Sequence, residues 1–201
     1  FSDSGFMPLV VPRKVTFLAK SEYFTSPGPK GIAKRLIFTS LGQVPVDRSG
    51  GRRSEAAITT GLRLLSEGAC IGIYPEGTLT RDPNLWPMTG KTGAVRLALA
   101  AGAPLIPIAQ WGDHEILAPY SKLLKPFPRK VVTLKCGEAI DLSKWQGKED
   151  DPIAMEEATQ FAMKVLAQMV GELRKESPPA QLFDIRNSDL PRTGNFRKNR
   201  Q

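Results

Sequence analysis

The chain predicts an α/β fold with a mixed, largely parallel sheet flanked by helices. Two observations carry this. Short apolar, β-branched runs alternate with amphipathic stretches at helical spacing. One alternation, strand 44–46, helix 54–67 and strand 70–74, reads as a βαβ unit, whose right-handed crossover makes its two strands parallel. With 201 residues, 41% hydrophobic and 24% charged, the chain can bury a sizeable core in one domain. That domain is placed at 1–177, and 178–201 reads as a basic, partly disordered tail.

The elements follow in order. Residues 13–19 read as a strand, with Lys20 at its carboxyl end. Ile32, Leu36 and Ile37 mark a short helix over 30–40. Val44 to Val46 is a brief strand ending at Asp47 and Arg48. Ser54 is a candidate N-cap with Glu55 in the first turn, and Gly68 a stop. Cys70 to Tyr74 reads as a buried strand. Lys91 and Gly93 open a helix to about Ala101. Leu105 to Gln110 is a strand that Pro107 argues out of a central position unless a bulge accommodates it. Residues 111–129 read as irregular, and 130–136 as a strand. Pro152 opens the last helix, whose apolar face is expected through Ile153, Phe161, Val165, Met169 and Leu173, with Arg174 and Lys175 in its last turn.

Charge narrows the partners. The net charge is +8. Residues 1–100 hold 13 Lys and Arg against 7 Asp and Glu, a net +6, whereas 101–177 are near neutral and the tail is basic again. An excess concentrated in this way favours an anionic partner. No apolar run approaches the ~18 residues of a membrane span, and no secretory signal opens the chain. The sequence begins at Phe1, so the N-terminus reads as truncated or processed. Cys70 and Cys136 are expected as buried thiols in a reducing cytoplasm. Two cysteines and one histidine, His114, make no zinc site; His114 reads as a loop or surface residue.

The stretch Cys70 to Asp82, CIGIYPEGTLTRD, is the best candidate for a site. A strand stops at Pro75 and is followed by a carboxylate (Glu76), a glycine (Gly77), a hydroxyl (Thr78) and a cation (Arg81). Ligands of α/β sheets bind outside strand carboxyl ends. Gly77 permits close backbone approach, and Thr78 and Arg81 can donate to an anion. Composition alone suits an ordinary turn equally well. Trp86 and Trp111 read first as partly buried structural residues, and otherwise as lining for an apolar groove or as a membrane contact.

GQVPVDR (Gly42 to Arg48), YPEGTLTR (Tyr74 to Arg81), Lys91-Thr92-Gly93 and the strand LIPIA together resemble the ordered blocks of the glycerolipid acyltransferase family. The nearest members are those that acylate lysophosphatidic acid, and the likeness covers roughly 1–110. That family's blocks are N-H-x4-D, G-x-V-P-V-x-R, F-P-E-G-T-R-S-R and an apolar V-P-V-like strand. Here the second is complete and the third nearly so. Asp3 falls where the first block has its aspartate, but the histidine five residues earlier would precede Phe1 and is not in this chain. Leu79 stands where the third block has an arginine.

The resemblance implies transfer of an acyl group from a thioester, acyl-CoA or acyl carrier protein, to the hydroxyl of a lysophospholipid. A glycerol hydroxyl must lose its proton as it attacks, which calls for a histidine base steadied by an aspartate, the role implied for Asp3. Arg48 and Arg81 are implied phosphate ligands, with Lys20 and Lys91 as lesser candidates. Glu76 would orient the acceptor or organise Arg48, and the backbone at Gly77 and Thr78 would bind phosphate or oxyanion. Neither metal nor organic cofactor is implied. An anionic membrane surface is an expected partner, with the protein cytoplasmic and peripheral to that surface. Nucleic acid is not expected, for no recognised binding motif accompanies the charge. Two alternatives stay open: a non-catalytic lipid-binding relative and, more remotely, a basic nucleic-acid-binding protein.

Overall fold

The computed structural model describes residues 11–20, 28, 31–32, 43–46, 53–121 and 123–190. The chain divides into two compact units. One consists mainly of Asp3–Ile73 and Arg96–Ala103, the other of Tyr74–Val95 and Pro104–Gln201.

The first unit holds a three-stranded sheet of β1 (Val15–Lys20), β2 (Gln43–Val46) and β3 (Cys70–Gly72) in the order β2-β1-β3. Both pairings are parallel, with Phe17 opposite Gln43 on one side and Gly72 on the other. The expected crossover is therefore present, but β1 lies between the two strands it joins. The crossover helix α1 (Arg53–Ser66) packs on β2 and β3. It is followed by Gly68, whose φ of 82° is the left-handed geometry that ends helices. Two glycines allow close packing. A Cβ on Gly72 would lie 2.5 Å from the Phe17 ring, and one on Gly61 would lie 2.8 Å from Leu97 of α2 (Gly93–Ala101).

The second unit is built on α4 (Pro152–Arg174), which covers an antiparallel pair, β4 (Ile108–Trp111) and β5 (Thr133–Cys136). A single helical turn, α3 (Asp113–Ile116), follows β4. Asp151 caps α4 by accepting from the Ile153 and Ala154 amides at 2.9 and 3.3 Å. Lys175, at φ 58°, closes the helix while the Glu176 amide donates to Gly171 O. Pro107 stays outside β4, and its carbonyl accepts from the Gly137 amide at 2.9 Å. Trp86, Ala109, Met169 and Val170 form a buried cluster joined by Trp111, Val165 and Leu173.

Three expectations are corrected here. The buried face of α4 runs through Ala154, Met155, Ala158, Ala162 and Met163, whereas Ile153 is 73% exposed and Phe161 is also exposed. Small alanines let the helix approach its neighbours closely, and the buried methionines Met155 and Met163 fill the space between them, so Ile153 and Phe161 fall outside that stripe. Cys136 is exposed and Cys70 only half-buried. Ala109 and Lys135 face each other on the side of the pair that meets α4, where Lys135 bonds Glu172, so Cys136 falls on the opposite face. Finally, 178–190 is not a loose tail: Phe183 O accepts from the Thr89 amide at 3.0 Å, and Arg186 bridges to Glu156 at 2.9 Å. Residues 191–201 lie outside the described residues, as does the expected helix over 30–40 apart from 31–32.

Candidate active site

The motif loop begins at Tyr74, just beyond β3 in sequence, and is held by hydrogen bonds among residues of the second unit. The Gly77 amide donates to Tyr74 O at 3.0 Å, and the Lys91 amide donates to Pro75 O at 2.8 Å. The loop thus leaves and returns at one point. Between these ends, Asp82 Oδ1 accepts from the Asn84 and Trp86 amides at 2.8 and 3.2 Å. The Thr80 hydroxyl donates to Trp86 O at 2.7 Å. Side chains here replace the ladder bonds that an irregular segment lacks.

Glu76 is half-buried, and its Oε2 accepts from the Met88 amide at 3.2 Å. Its carboxylate is therefore positioned from twelve residues further along the chain. Gly77 is exposed with φ 67°. A Cβ there would lie 2.8 Å from Lys91 Nζ, so the ammonium rests directly over the turn. Thr78 is half-buried on the same loop. Glu76, Gly77 and Lys91 are thus brought together, with Gly77 and Lys91 open to solvent.

Arg81 is placed differently from its expected role. It is 3% exposed, and its guanidinium lies 5.0 Å from the ring centre of Tyr120. Its amide approaches Met88 Sδ at 3.0 Å. Burial lowers its pKa below the ordinary guanidinium value, because charge is disfavoured away from water. The side chain is packed against Tyr120 and is not presented to solvent. Lys20 ends β1 in the first unit, and nothing of its side chain is described. Asp3 and Arg48 lie outside the described residues. His114 sits in α3 with its ring 4.4 Å from that of Trp111.

Several supports of the loop carry no local sequence signal. Arg174, on the last turn of α4, donates to Asn84 O at 2.7 Å. Its guanidinium lies against the Trp86 and Trp111 rings. The Thr89 hydroxyl donates to Asp184 at 3.2 Å, so the C-terminal segment also grips the loop. Among the described residues, no three His, Cys, Asp or Glu side chains are grouped to hold a metal.

The fold and loop define an α/β protein with a cation-bearing turn beyond a parallel strand. The chain belongs to the acyltransferase family, whose model matches residues 2–111. It is 33% identical over 103 residues to the 1-acyl-sn-glycerol-3-phosphate acyltransferase of Bacillus subtilis (strain 168), covering 51% of this chain and 46% of that one. It is 32% identical over 138 residues to the human 1-acyl-sn-glycerol-3-phosphate acyltransferase beta, covering 67% and 45%. The chain spans about half the length of these curated relatives. The crystal structure of the 1-acyl-sn-glycerophosphate (LPA) acyltransferase PlsC from Thermotoga maritima superposes with a TM-score of 0.52 at 22% identity. That match covers 83% of this chain and 59% of that one, and it supports the α/β fold.

Proposed function

We propose that this protein transfers a fatty acyl group from an acyl thioester to the free hydroxyl of lysophosphatidic acid or a related lysophospholipid, making phosphatidic acid. The observation that carries this reading is the Lys91 ammonium resting over the exposed left-handed turn at Gly77, beside the Glu76 carboxylate that Met88 holds. A phosphomonoester on the acceptor meets Lys91 and the loop backbone, while Glu76 orients the glycerol. Arg48 is the second phosphate ligand in this reading, with Thr78 and Lys20 assisting. Arg81, given its burial, supports the turn.

In the reaction the hydroxyl oxygen attacks the thioester carbonyl, a C–O bond forms and the C–S bond breaks. The hydroxyl proton passes to a base and then to the departing thiolate. The base is the histidine of the first family block, steadied by Asp3. The donor is acyl-CoA or acyl carrier protein, with no further cofactor, and the protein works at an anionic membrane surface on the cytoplasmic side. No described helix is long and apolar enough to cross a membrane.

The test is thiol release by the full-length gene product given acyl-CoA and lysophosphatidic acid. Release that depends on Glu76 and Arg48 supports the reading. No release with any lysophospholipid and either donor overturns it, and leaves the second reading, a lipid-binding relative without turnover.

A further inference from the structure

Four of the exposed large apolar side chains fall within nine consecutive positions between α3 and β5. Leu123 is 66% exposed, Leu124 62%, Phe127 83% and Val131 79%. Soluble proteins rarely leave contiguous apolar surface uncovered without an interaction to serve. Lys125, Arg129 and Lys130 are interleaved with these residues. Lys130 reaches Glu115 at 3.7 Å, while Lys125 and Arg129 form no ion pair with a described residue.

The backbone of this segment is held at its root. The Lys125 amide donates to Ile116 O at 2.8 Å, and the Leu123 amide donates to Ser121 Oγ at 3.0 Å. Val131 O lies so close to Gly112 that a Cβ there would sit 2.1 Å away. The side chains are therefore displayed outward from an anchored loop. Pro126 and Pro128 lack N–H donors, which removes two groups that would otherwise lose water on entering an apolar layer.

We propose that residues 123–131 form a lipid-contact loop, with Leu123, Leu124, Phe127 and Val131 entering the headgroup–acyl boundary of an anionic bilayer and Lys125 and Arg129 on lipid phosphates. Cations alternating with large apolar groups match that boundary, where negative charge lies directly above hydrocarbon. They do not match a second copy of the same loop, because a two-fold contact would bring Lys125 and Arg129 against like charges. Tyr120, three residues before Leu123, lies against Arg81 of the motif loop, so the lipid-facing tip and the motif share a base. The purpose of the loop rests on the lysophospholipid reading above, but the contact itself is tested without turnover.

The experiment is co-sedimentation of the 201-residue protein with vesicles of phosphatidylcholine alone or mixed with phosphatidylglycerol. Leu124→Ser combined with Phe127→Ser should lower partitioning about tenfold or more on both vesicles. Lys125→Gln combined with Arg129→Gln should remove only the preference for phosphatidylglycerol and its salt dependence. All four side chains are exposed, and equal unfolding midpoints would confirm intact folds. Wild-type protein that stays in the supernatant, or an apolar variant that sediments like wild type, overturns the proposal. So does a wild-type dimer that the apolar variant converts to monomer, which would assign this face to a second copy. Failure of acyl transfer alongside variant-sensitive sedimentation would remove the enzymatic reading and leave the lipid-contact loop standing.

Discussion

The guanidinium of Arg174 lies 4.1 Å from the ring centre of Trp86, and the ring of Trp111 lies 4.4 Å from the same group. One cation at the end of α4 thus ties the motif loop, through Trp86 and the Asn84 carbonyl, to strand β4, which carries Trp111. Cation–π contacts at partly desolvated sites contribute about 1–2 kcal/mol, and a charge-assisted hydrogen bond about as much. Arg174→Ala should therefore lower the unfolding free energy by about 2–4 kcal/mol. Arg174→Lys should recover less than half of that loss, because an ammonium cannot stack as a plane. Urea unfolding followed by tryptophan fluorescence measures both, and an Arg174→Ala protein as stable as wild type would contradict the structural role.

Glu76 offers a sharper separation of folding from function. Glu76→Gln keeps an acceptor for the Met88 amide and should change stability by less than about 0.5 kcal/mol, whereas Glu76→Ala orphans that amide and should cost about 1–2 kcal/mol. Both should lower turnover of the full-length protein at least about tenfold, the loss of roughly 1.4 kcal/mol of transition-state stabilisation. Full activity in Glu76→Gln would mean that the negative charge has no part in the reaction.

Lys91 and Gly77 make a pair whose substitutions should act on different quantities. Lys91→Met leaves the loop hydrogen bonds intact, so the expected effect is a raised KM for the phosphate-bearing acceptor, about tenfold, with weaker salt dependence. Gly77→Ala strains a backbone at φ 67° and should cost about 1–2 kcal/mol in an unfolding titration. An unchanged KM in Lys91→Met would remove the ammonium from acceptor binding.

The Asp184 carboxyl is held below its ordinary range, first by its hydrogen bond to the Arg186 side chain and further by the Arg186 amide and the Thr89 hydroxyl. A depressed folded-state pKa means that the stabilisation is complete above the unfolded value of about 3.9 and is lost as pH falls through the folded value. Stability should therefore decline on acidification below about pH 4, with part of that decline absent in Asp184→Asn. Denaturant midpoints at pH 7 and pH 3 compare the two proteins, and identical acid losses would exclude Asp184 as a contributor.

Much of the scaffold was legible because its signals are local. The expected helix over 54–67 matches α1 to within a residue, although Ser54, read as its N-cap, lies inside the helix, and Asp151-Pro152 marked the start of α4. Parallel direction followed from the crossover alone, although the central place of β1 did not, since strand order depends on contacts far apart in sequence. Cys136 and the exposed side of α4 were misread because apolar composition does not say which face meets a neighbour. At the site, the motif spacing marked Glu76, Gly77 and Lys91, but the burial of Arg81 depends on Tyr120, thirty-nine residues away in sequence. Nothing near Arg174 in the sequence announces two tryptophans from separate segments.

The pairing of Thr89 with Phe183 and Asp184 carries a consequence for biosynthesis. Met88 both holds Glu76 and bridges to Phe183, so part of the brace on the motif loop is encoded almost a hundred residues downstream. On the ribosome, strands β1 to β3 and helix α1 can form early, yet the loop lacks this clasp until Phe183 has left the exit tunnel. A chain released short of that residue would keep the motif in sequence while losing the strap that braces it.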